Sequence, residues 1–252
     1  MTNWKPFVSV ITPSYNASEY IEDTIQSVLH QSHPHWEMII ADDCSTDGTR
    51  DILRQYEQKD ERIRVVYLDK NGGAAAARNT ALKHAKGRYV AFLDSDDRWK
   101  KEKLQKQLAF MAERSCAFSF TGYSVMEQDG TPTDKTIQAP ESLSYDEALK
   151  NTIIGCLTVM IDREQTGQIQ MPDIRTRQDL ATWLSLLKRG FTAYGLNECL
   201  SEYRLVQNSI SSNKWKAAKK TWFVYREIER LHFIKASWCF MQYAKNAVLK
   251  RL

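Results

Sequence analysis

Apolar positions in the first hundred residues switch repeatedly between two periods. Short β-branched or aromatic runs alternate with stretches whose apolar residues fall three and four apart, the pattern of strand–helix–strand units. The first run, Val8 to Thr12, ends at Pro13. From Glu19 to Gln31, residues Tyr20, Ile21, Ile25, Val28 and Leu29 recur at helical spacing behind a candidate N-cap, Ser18. Further strands are predicted over Trp36 to Ala41, Ile63 to Leu68 and Tyr89 to Leu93. Helices are predicted over Asp51 to Lys59, Ala74 to Ala85 and Lys101 to Ala112. Alternation at this pitch implies an α/β fold with a mostly parallel central sheet covered by helices on both faces. Such sheets bind ligands at the carboxyl ends of their strands. Three strands here end in polar clusters: Thr12-Pro13-Ser14-Tyr15, Asp42-Asp43 and Asp94-Ser95-Asp96-Asp97. The three are expected to converge on one crevice.

The middle of the chain is less regular. Cys116 to Tyr123 and Val125 to Gln128 read as strands, with a turn at Asp129-Gly130. Residues 130–142 hold two prolines and few large apolar groups, so a loop is predicted there. Leu180 to Leu187 is an amphipathic helix beginning after Gln178-Asp179. From Lys214 to Leu252 no Pro or Gly interrupts the chain, which predicts one long helix or two shorter ones.

Composition narrows the class. The 252 residues are 42% hydrophobic and 26% charged, proportions that exclude disordered, collagen-like and disulfide-stapled chains. Five cysteines, odd in number and without a CxxC pair, fit a reducing compartment better than a zinc site. The N-terminus lacks a signal-peptide core, and no run approaches the ~20 apolar residues of a membrane span. A cytoplasmic protein, at most peripheral to a membrane, is expected. The net charge of +4 conceals an asymmetry. Lys214 to Leu252 carries ten Lys or Arg against two Glu, a local +8, which leaves −4 on the preceding 213 residues.

Several residues could carry chemistry, and each has a plainer reading. Three carboxylates on the Asp94–Asp97 turn repel one another unless a cation lies among them. Mg²⁺ or Mn²⁺, held by one or two carboxylates and completed by phosphate oxygens, is the natural counter-ion; a solvated turn capping the next helix is the alternative. The Asp42 to Gly48 segment reads as turn chemistry, or as an aspartate that hydrogen-bonds a base or ribose edge. Tyr15 could stack on a flat ring or belong to the core. Arg78, behind a glycine turn, could pair with the strand-end carboxylates or with phosphate, or lie on a helix surface. Asp179 is a helix cap, or a general base if the fold brings it to the metal site. No Gly-x-Gly-x-x-Gly, P-loop or Gly-x-Ser-x-Gly is present, so dinucleotide, P-loop and hydrolase-elbow chemistries lack their motifs.

In order along the chain stand Val8 to Asn16, Ile40 to Thr49, Asn71-Gly72-Gly73 with Ala77-Arg78-Asn79, and Gly87-Arg88-Tyr89 with Phe92 to Asp97. Together they resemble glycosyltransferase family 2 over about residues 7–100. The likeness continues more weakly through Gln178-Asp179-Leu180, Trp183-Leu184, Gly190, Tyr203-Arg204 and Asn208 to Ser211. Over its whole length the chain resembles the branch of the family that makes teichuronic acid. The resemblance implies a GT-A fold over residues 1–213, with a nucleotide-binding half at 1–100 and an acceptor half at 101–213. Residues 214–252 would be a helical extension. It also implies a UDP-sugar donor and a glycan or polyprenyl-diphosphate-linked acceptor. Pro13 and Tyr15 would border the nucleobase, and Asp43 would accept from the uracil ring. Arg78 would brace the diphosphate, Asp94 would face the ribose or sugar, and Asp96 would ligate Mn²⁺ or Mg²⁺. Asp179 would be the base of an inverting transfer, although Gln178 replaces the first acid of the family's Glu-Asp motif. The Gln-x-x-Arg-Trp motif of processive members is absent, so one sugar per encounter is implied. A sugar-phosphate nucleotidyltransferase would want a glycine-rich loop near Thr12 to Tyr15. A non-catalytic scaffold would not need Asp94, Asp96 and Asp179.

The basic tail holds eight of the chain's 27 aromatic residues. Basic residues interleaved with Trp and Phe suit a helix lying on an anionic membrane surface. A helix packed on the body, or a homodimer contact, would carry the same composition. Nothing elsewhere in the chain supports nucleic-acid binding.

Overall fold

The computed structural model describes residues 7–206 and 214–249; the Asn208 to Ser211 segment of the resemblance lies outside the described residues. The first half alternates as its apolar pattern requires: β1 (Val8–Ser14), α1 (Ile21–Leu29), β2 (Trp36–Asp42), α2 (Thr49–Lys59), β3 (Ile63–Tyr67), α3 (Gly73–His84) and β4 (Tyr89–Phe92). The middle adds β5 (Arg98–Trp99), α4 (Lys103–Glu113), β6 (Phe118–Met126), β7 (Pro132–Ile137), β8 (Ser142–Leu143) and α5 (Tyr145–Lys150). A 3₁₀ turn at Cys156–Thr158 follows, then β9 (Met160–Asp162), α6 (Arg163–Thr166), α7 (Gln178–Lys188) and β10 (Ala193–Arg204). The tail forms α8 (Lys214–Phe223), a π-helical turn at Val224–Ile228, and α9 (Phe233–Leu249).

These strands form one sheet in the order β3-β2-β1-β4-β9-β6-β10-β5, with β7 on β6 and β8 on β10. Strands β1 to β4 are mutually parallel. Strand β9 runs antiparallel between β4 and β6, and β6 and β10 are parallel again. The parallel core thus belongs to the first half, and the second half mixes directions. Alternate residues along β1, β2 and β4 serve opposite faces. Ile11, Ile39, Val90 and Phe92 pack with α3, α5, α7 and the tail. Val10, Met38, Ile40 and Ala91 pack with α1, α2 and α4.

Three local expectations are corrected. The predicted loop at 130–142 contains β7, whose residues are mostly exposed and therefore show no apolar alternation. The two strands predicted over 116–128 are one continuous β6 paired with both β10 and β7. Ser18 does not cap α1, which starts after Tyr20; the Ser18 amide donates instead to Asp47 Oδ2 at 3.1 Å.

The middle section closes over β10 at Gly195. A Cβ there would stand 1.9 Å from the Pro140 carbonyl oxygen, backbone that cannot swing away. Gly195→Ala is expected to destabilise the fold by at least about 1–3 kcal/mol, the range for overpacked sites, read as a lower urea midpoint.

The tail packs on the body. Tyr225 Oη donates to the Leu149 carbonyl, and Asn246 Nδ2 donates to that of Lys150 at 3.0 Å, both on α5. Tyr145 Oη donates to Glu229 Oε2 at 2.6 Å, and Lys188 of α7 reaches the same carboxylate at 3.3 Å.

Candidate active site

Parallel register sets the strand ends side by side. Ser14 pairs with Asp42, and the Asp43 amide donates to the Ser14 carbonyl at 2.8 Å. On the other side of β1, the Leu93 amide donates to the Ile11 carbonyl at 3.1 Å. The turn after β1 is therefore flanked by Asp43 on one side and by Asp94–Asp97 on the other, so the three polar clusters do meet. Pro13 is buried, while Tyr15 is 52% exposed and so is not a core residue. The loops are cross-tied: Asn16 donates its amide to Ser45 Oγ at 2.9 Å, and its side-chain oxygen accepts from the Thr46 amide at 2.8 Å.

The two aspartates after β2 divide their work. Asp42 is buried and accepts from the Ser45 amide at 3.2 Å and from Arg50 Nε at 2.6 Å, which orders the turn. Asp43 accepts from the amides of Gly72 and Gly73, each at 2.7 Å. Those amides open α3, where unpaired N–H groups and the helix dipole favour a carboxylate. Gly73 has φ +82°, a conformation that suits glycine. The Asp43 carboxylate thus pins the start of the helix that carries Arg78.

Arg78 is buried, 5% exposed, and its Nη2 donates to Asp94 Oδ1. Its Nε and Nη1 have no hydrogen-bond partner among the described residues. Burial works against its charge, but Asp94 beside it, and Asp179 further off, hold the guanidinium protonated more firmly than usual. Guanidinium N–H groups in this state are of the kind that donate to carboxylate or phosphate oxygens.

After β4 the chain turns tightly, with the Asp97 amide donating to the Asp94 carbonyl at 3.2 Å. Burial, then the neighbouring Asp94 charge, push the Asp96 carboxyl up to about 6. Asp97 is pushed well above the usual carboxylate range by burial and by the charges of Asp96 and Asp94. Arg204, at the end of β10, clamps this turn. Its Nε donates to the Asp96 carbonyl at 2.7 Å, and its amide donates to Asp97 Oδ1 at 2.9 Å. Its Nη2 donates to Asp23 at 2.9 Å. Sequence reasoning gave Arg204 no role; its place beside Tyr203 in the resemblance was the available signal.

Asp179 reaches this crevice from α7. The helix begins at Gln178 after Arg177, whose left-handed φ of 64° redirects the chain. Trp183, one helical turn on and on the same face as Asp179, packs edge-on against Phe92 at 5.3 Å and tilted against Phe118 at 5.6 Å. Phe92 ends β4, two residues before Asp94, so the aromatic contact fixes one acid relative to the other. The Asp179 charge acts on both Arg78 and the buried Cys156. Among the described residues no hydrogen bond of a cap holds α7, so Asp179 is not consumed as one. Beside it, the Gln178 side-chain oxygen is buried with no partner among the described residues.

No three His, Cys, Asp or Glu side chains form a ready-made metal cage among the described residues. Asp94 and Asp96 still fit a divalent ion of the kind that takes one or two carboxylates and completes its shell with phosphate. Burial first, and then the charge of Asp94, lift the Asp96 carboxyl, and such an ion would offset both.

The sequence pattern described as "Glycosyl transferase family 2" matches residues 9–165, which include the ends of β1, β2 and β4 but not Asp179 or Arg204. The chain belongs to glycosyltransferase family 2. Among family relatives, the Bacillus subtilis (strain 168) protein named "Putative teichuronic acid biosynthesis glycosyltransferase TuaG" is 84% identical over 252 residues, all of both chains. The Escherichia coli UDP-Glc:alpha-D-GlcNAc-diphosphoundecaprenol beta-1,3-glucosyltransferase WfgD is 40% identical over 90% of each chain. Solved structures share the glycosyltransferase fold at lower identity. Staphylococcus aureus TarS 1–349 in complex with UDP-GlcNAc superposes with a TM-score of 0.71 at 22% identity, over 95% of this chain and 72% of that one. Mannosyltransferase PcManGT from Pyrobaculum calidifontis, in complex with GDP-Man and Mn²⁺, gives 0.71 at 18% identity, over 98% and 75%. The GT-A expectation is therefore met: a mixed α/β sheet flanked by helices, as in these two transferases.

Proposed function

We propose that this family 2 glycosyltransferase moves a sugar from a UDP-sugar to a polyprenyl-diphosphate-linked glycan, with inversion at the anomeric carbon, in the assembly of a teichuronic-acid-type polysaccharide. The observation that carries this reading is the buried Arg78, with two idle donors, paired with Asp94 and within reach of the Asp179 charge. The names of the two relatives support the acceptor class and the pathway.

Each residue then has a task. Tyr15, exposed at the end of β1, offers its ring face to the nucleobase, with Pro13 shaping the floor. Asp43 has lone pairs left after accepting the two glycine amides and takes the base's ring N–H. Arg78 turns Nε and Nη1 to the diphosphate, where negative charge grows as the bond to the sugar breaks. Asp94 orients Arg78 and faces the sugar side. Asp94 and Asp96 would hold Mn²⁺ or Mg²⁺, which when bound neutralises charge on the departing diphosphate. Asp179 takes the proton from the acceptor hydroxyl as its oxygen attacks the anomeric carbon from the face opposite the leaving group.

A screen of UDP-sugars with GlcNAc-diphosphate-polyprenol and Mn²⁺ tests the reading. Acceptor-dependent UDP release from one donor, lost with EDTA and giving an inverted linkage, is expected. Pyrophosphate release from UTP and a sugar phosphate would replace it with nucleotidyl transfer, and neither product would leave a scaffold.

A further inference from the structure

Helix α9 turns one face to solvent among the described residues, with Phe233 at its edge packed against Trp222 at 5.9 Å. Ala236 and Cys239 are buried toward the body, with Asn246 tied to α5. On the opposite side Ile234, Trp238, Met241 and Lys245 fall at i, i+4, i+7 and i+11, a single stripe. Ile234 is 73% exposed, Trp238 53% and Met241 57%, and Phe233 beside them is 60% exposed. Four large apolar side chains in one patch are unlike the singly scattered apolar residues of an ordinary surface. The tail that carries the stripe is basic: Lys219, Lys220, Arg230, Lys235 and Lys245 are all exposed, Lys235 being paired with Asp146 at 2.8 Å. Of the tail's two acids, Glu229 is buried and bonded to Tyr145, which leaves Glu227 alone in water.

We propose that this stripe is a docking face for an anionic lipid bilayer, with α9 lying in the interface plane. Charge decides the occupant. A second copy would bring one +8 tail against another, whereas anionic headgroups complement it. Trp238 at the centre and Lys245 at the end of the stripe suit the boundary between acyl chains and headgroups. Crossing the bilayer is not open to it: no helix among the described residues is long and apolar enough. The face also has a consequence for the reaction. Tyr243 on α9 accepts from Arg177 Nη2 at 3.1 Å, and Arg177 is two residues from Asp179. Docking by α9 therefore places the helix that braces the Asp179 side of the crevice on the membrane, where a lipid-linked acceptor lies. This orientation rests on the proposed acceptor; the docking itself does not.

Full-length protein is sedimented with sucrose-loaded vesicles of phosphatidylcholine alone or of phosphatidylcholine mixed with anionic phosphatidylglycerol. Binding to the anionic vesicles alone, reduced about tenfold or more by Ile234→Glu/Trp238→Glu and also by Lys219→Glu/Lys220→Glu, is expected. Phe7→Glu, at an exposed apolar residue outside the tail, should leave it unchanged. Circular dichroism of each variant separates lost docking from lost folding. Equal pelleting of wild type and the stripe variant overturns the proposal. So does light scattering that shows a dimer which the stripe variant converts to monomer while vesicle binding persists. The assay uses no nucleotide or acceptor, so its failure leaves the transferase reading untouched, and failure of that reading leaves docking untouched.

Discussion

Asp179→Asn is expected to lower kcat by ~10²–10⁴, the usual contribution of a positioned general base, while UDP affinity stays within about twofold. Asparagine keeps the size of the side chain and loses its ability to take a proton. The fold should tolerate the change, because α7 is anchored elsewhere. Leu180, Trp183, Leu184 and Leu187 are buried in the same core as β4 and β6. The nucleotide should still bind, because its predicted partners lie on β1, β2, α3 and the β4 turn. Steady-state kinetics with saturating acceptor, alongside calorimetric titration of UDP, separates the two effects. Near-normal turnover with intact UDP binding would remove Asp179 from the base role. A parallel loss of UDP affinity would instead assign it to the diphosphate, through its charge on Arg78. Trp183 explains why a single acid so late in the chain can serve a site built by the first hundred residues. Its ring is wedged between Phe92 and Phe118, so any movement of the helix start must disturb the strand that ends at Asp94.

How much of this was legible in the sequence depends on how local the cause is. Strands β1 to β4 were readable because each is a continuous apolar run closed by polar residues, and their parallel order follows from the helices between them. The convergence of Tyr15, Asp43 and Asp94 was readable for the same reason: it is a property of strand ends, not of loops. Strand β7 was not, since its side chains face water and only its pairing with β6 makes it a strand. Nor was β9, three residues long, whose direction is set by neighbours distant in sequence. Arg204 shows the limit most clearly. It is one of 35 Lys and Arg, and its importance comes from Asp23, Asp96 and Asp97 gathered around it by the sheet. The idle donors of Arg78 belong to the same class. The sequence left Arg78 open between a helix surface and a carboxylate partner; that it is buried with two nitrogens lacking partners among the described residues is a three-dimensional fact.

Asp96→Asn should separate activity from stability in opposite directions. As a proposed metal ligand, Asp96 should be worth on the order of 10²–10³ in kcat, comparable to other groups that stabilise transition-state charge. As a folded-state residue it is a liability. Burial, and then the charge of Asp94, lift its carboxyl from 3.8 to about 6. The folded chain therefore binds this proton more tightly than the unfolded chain does. The metal-free protein is favoured by the group at low pH, loses that advantage as pH rises from about 4 through 6, and gains nothing further above it. At pH 7 the ionised carboxylate costs stability, and it also raises the burden on Asp97 next door. Removing the charge should raise the metal-free Tm at pH 7 by roughly 2–4 °C, the shift that about 1 kcal/mol gives in a chain of this size. The same substitution should flatten the fall in stability between pH 4 and 7. Wild-type protein should gain stability from added Mn²⁺ at pH 7, much less so at pH 5 where a proton competes for Asp96, and the variant should gain little at either. Differential scanning calorimetry with and without Mn²⁺, at both pH values, reads all of these together. A variant that loses turnover and stability at once would make Asp96 a structural residue of the turn. A variant that keeps Mn²⁺-stimulated turnover would move the ion to other ligands. Higher stability with lost turnover is the expected signature of carboxylates held together against their own repulsion so that a cation and a diphosphate can bind there.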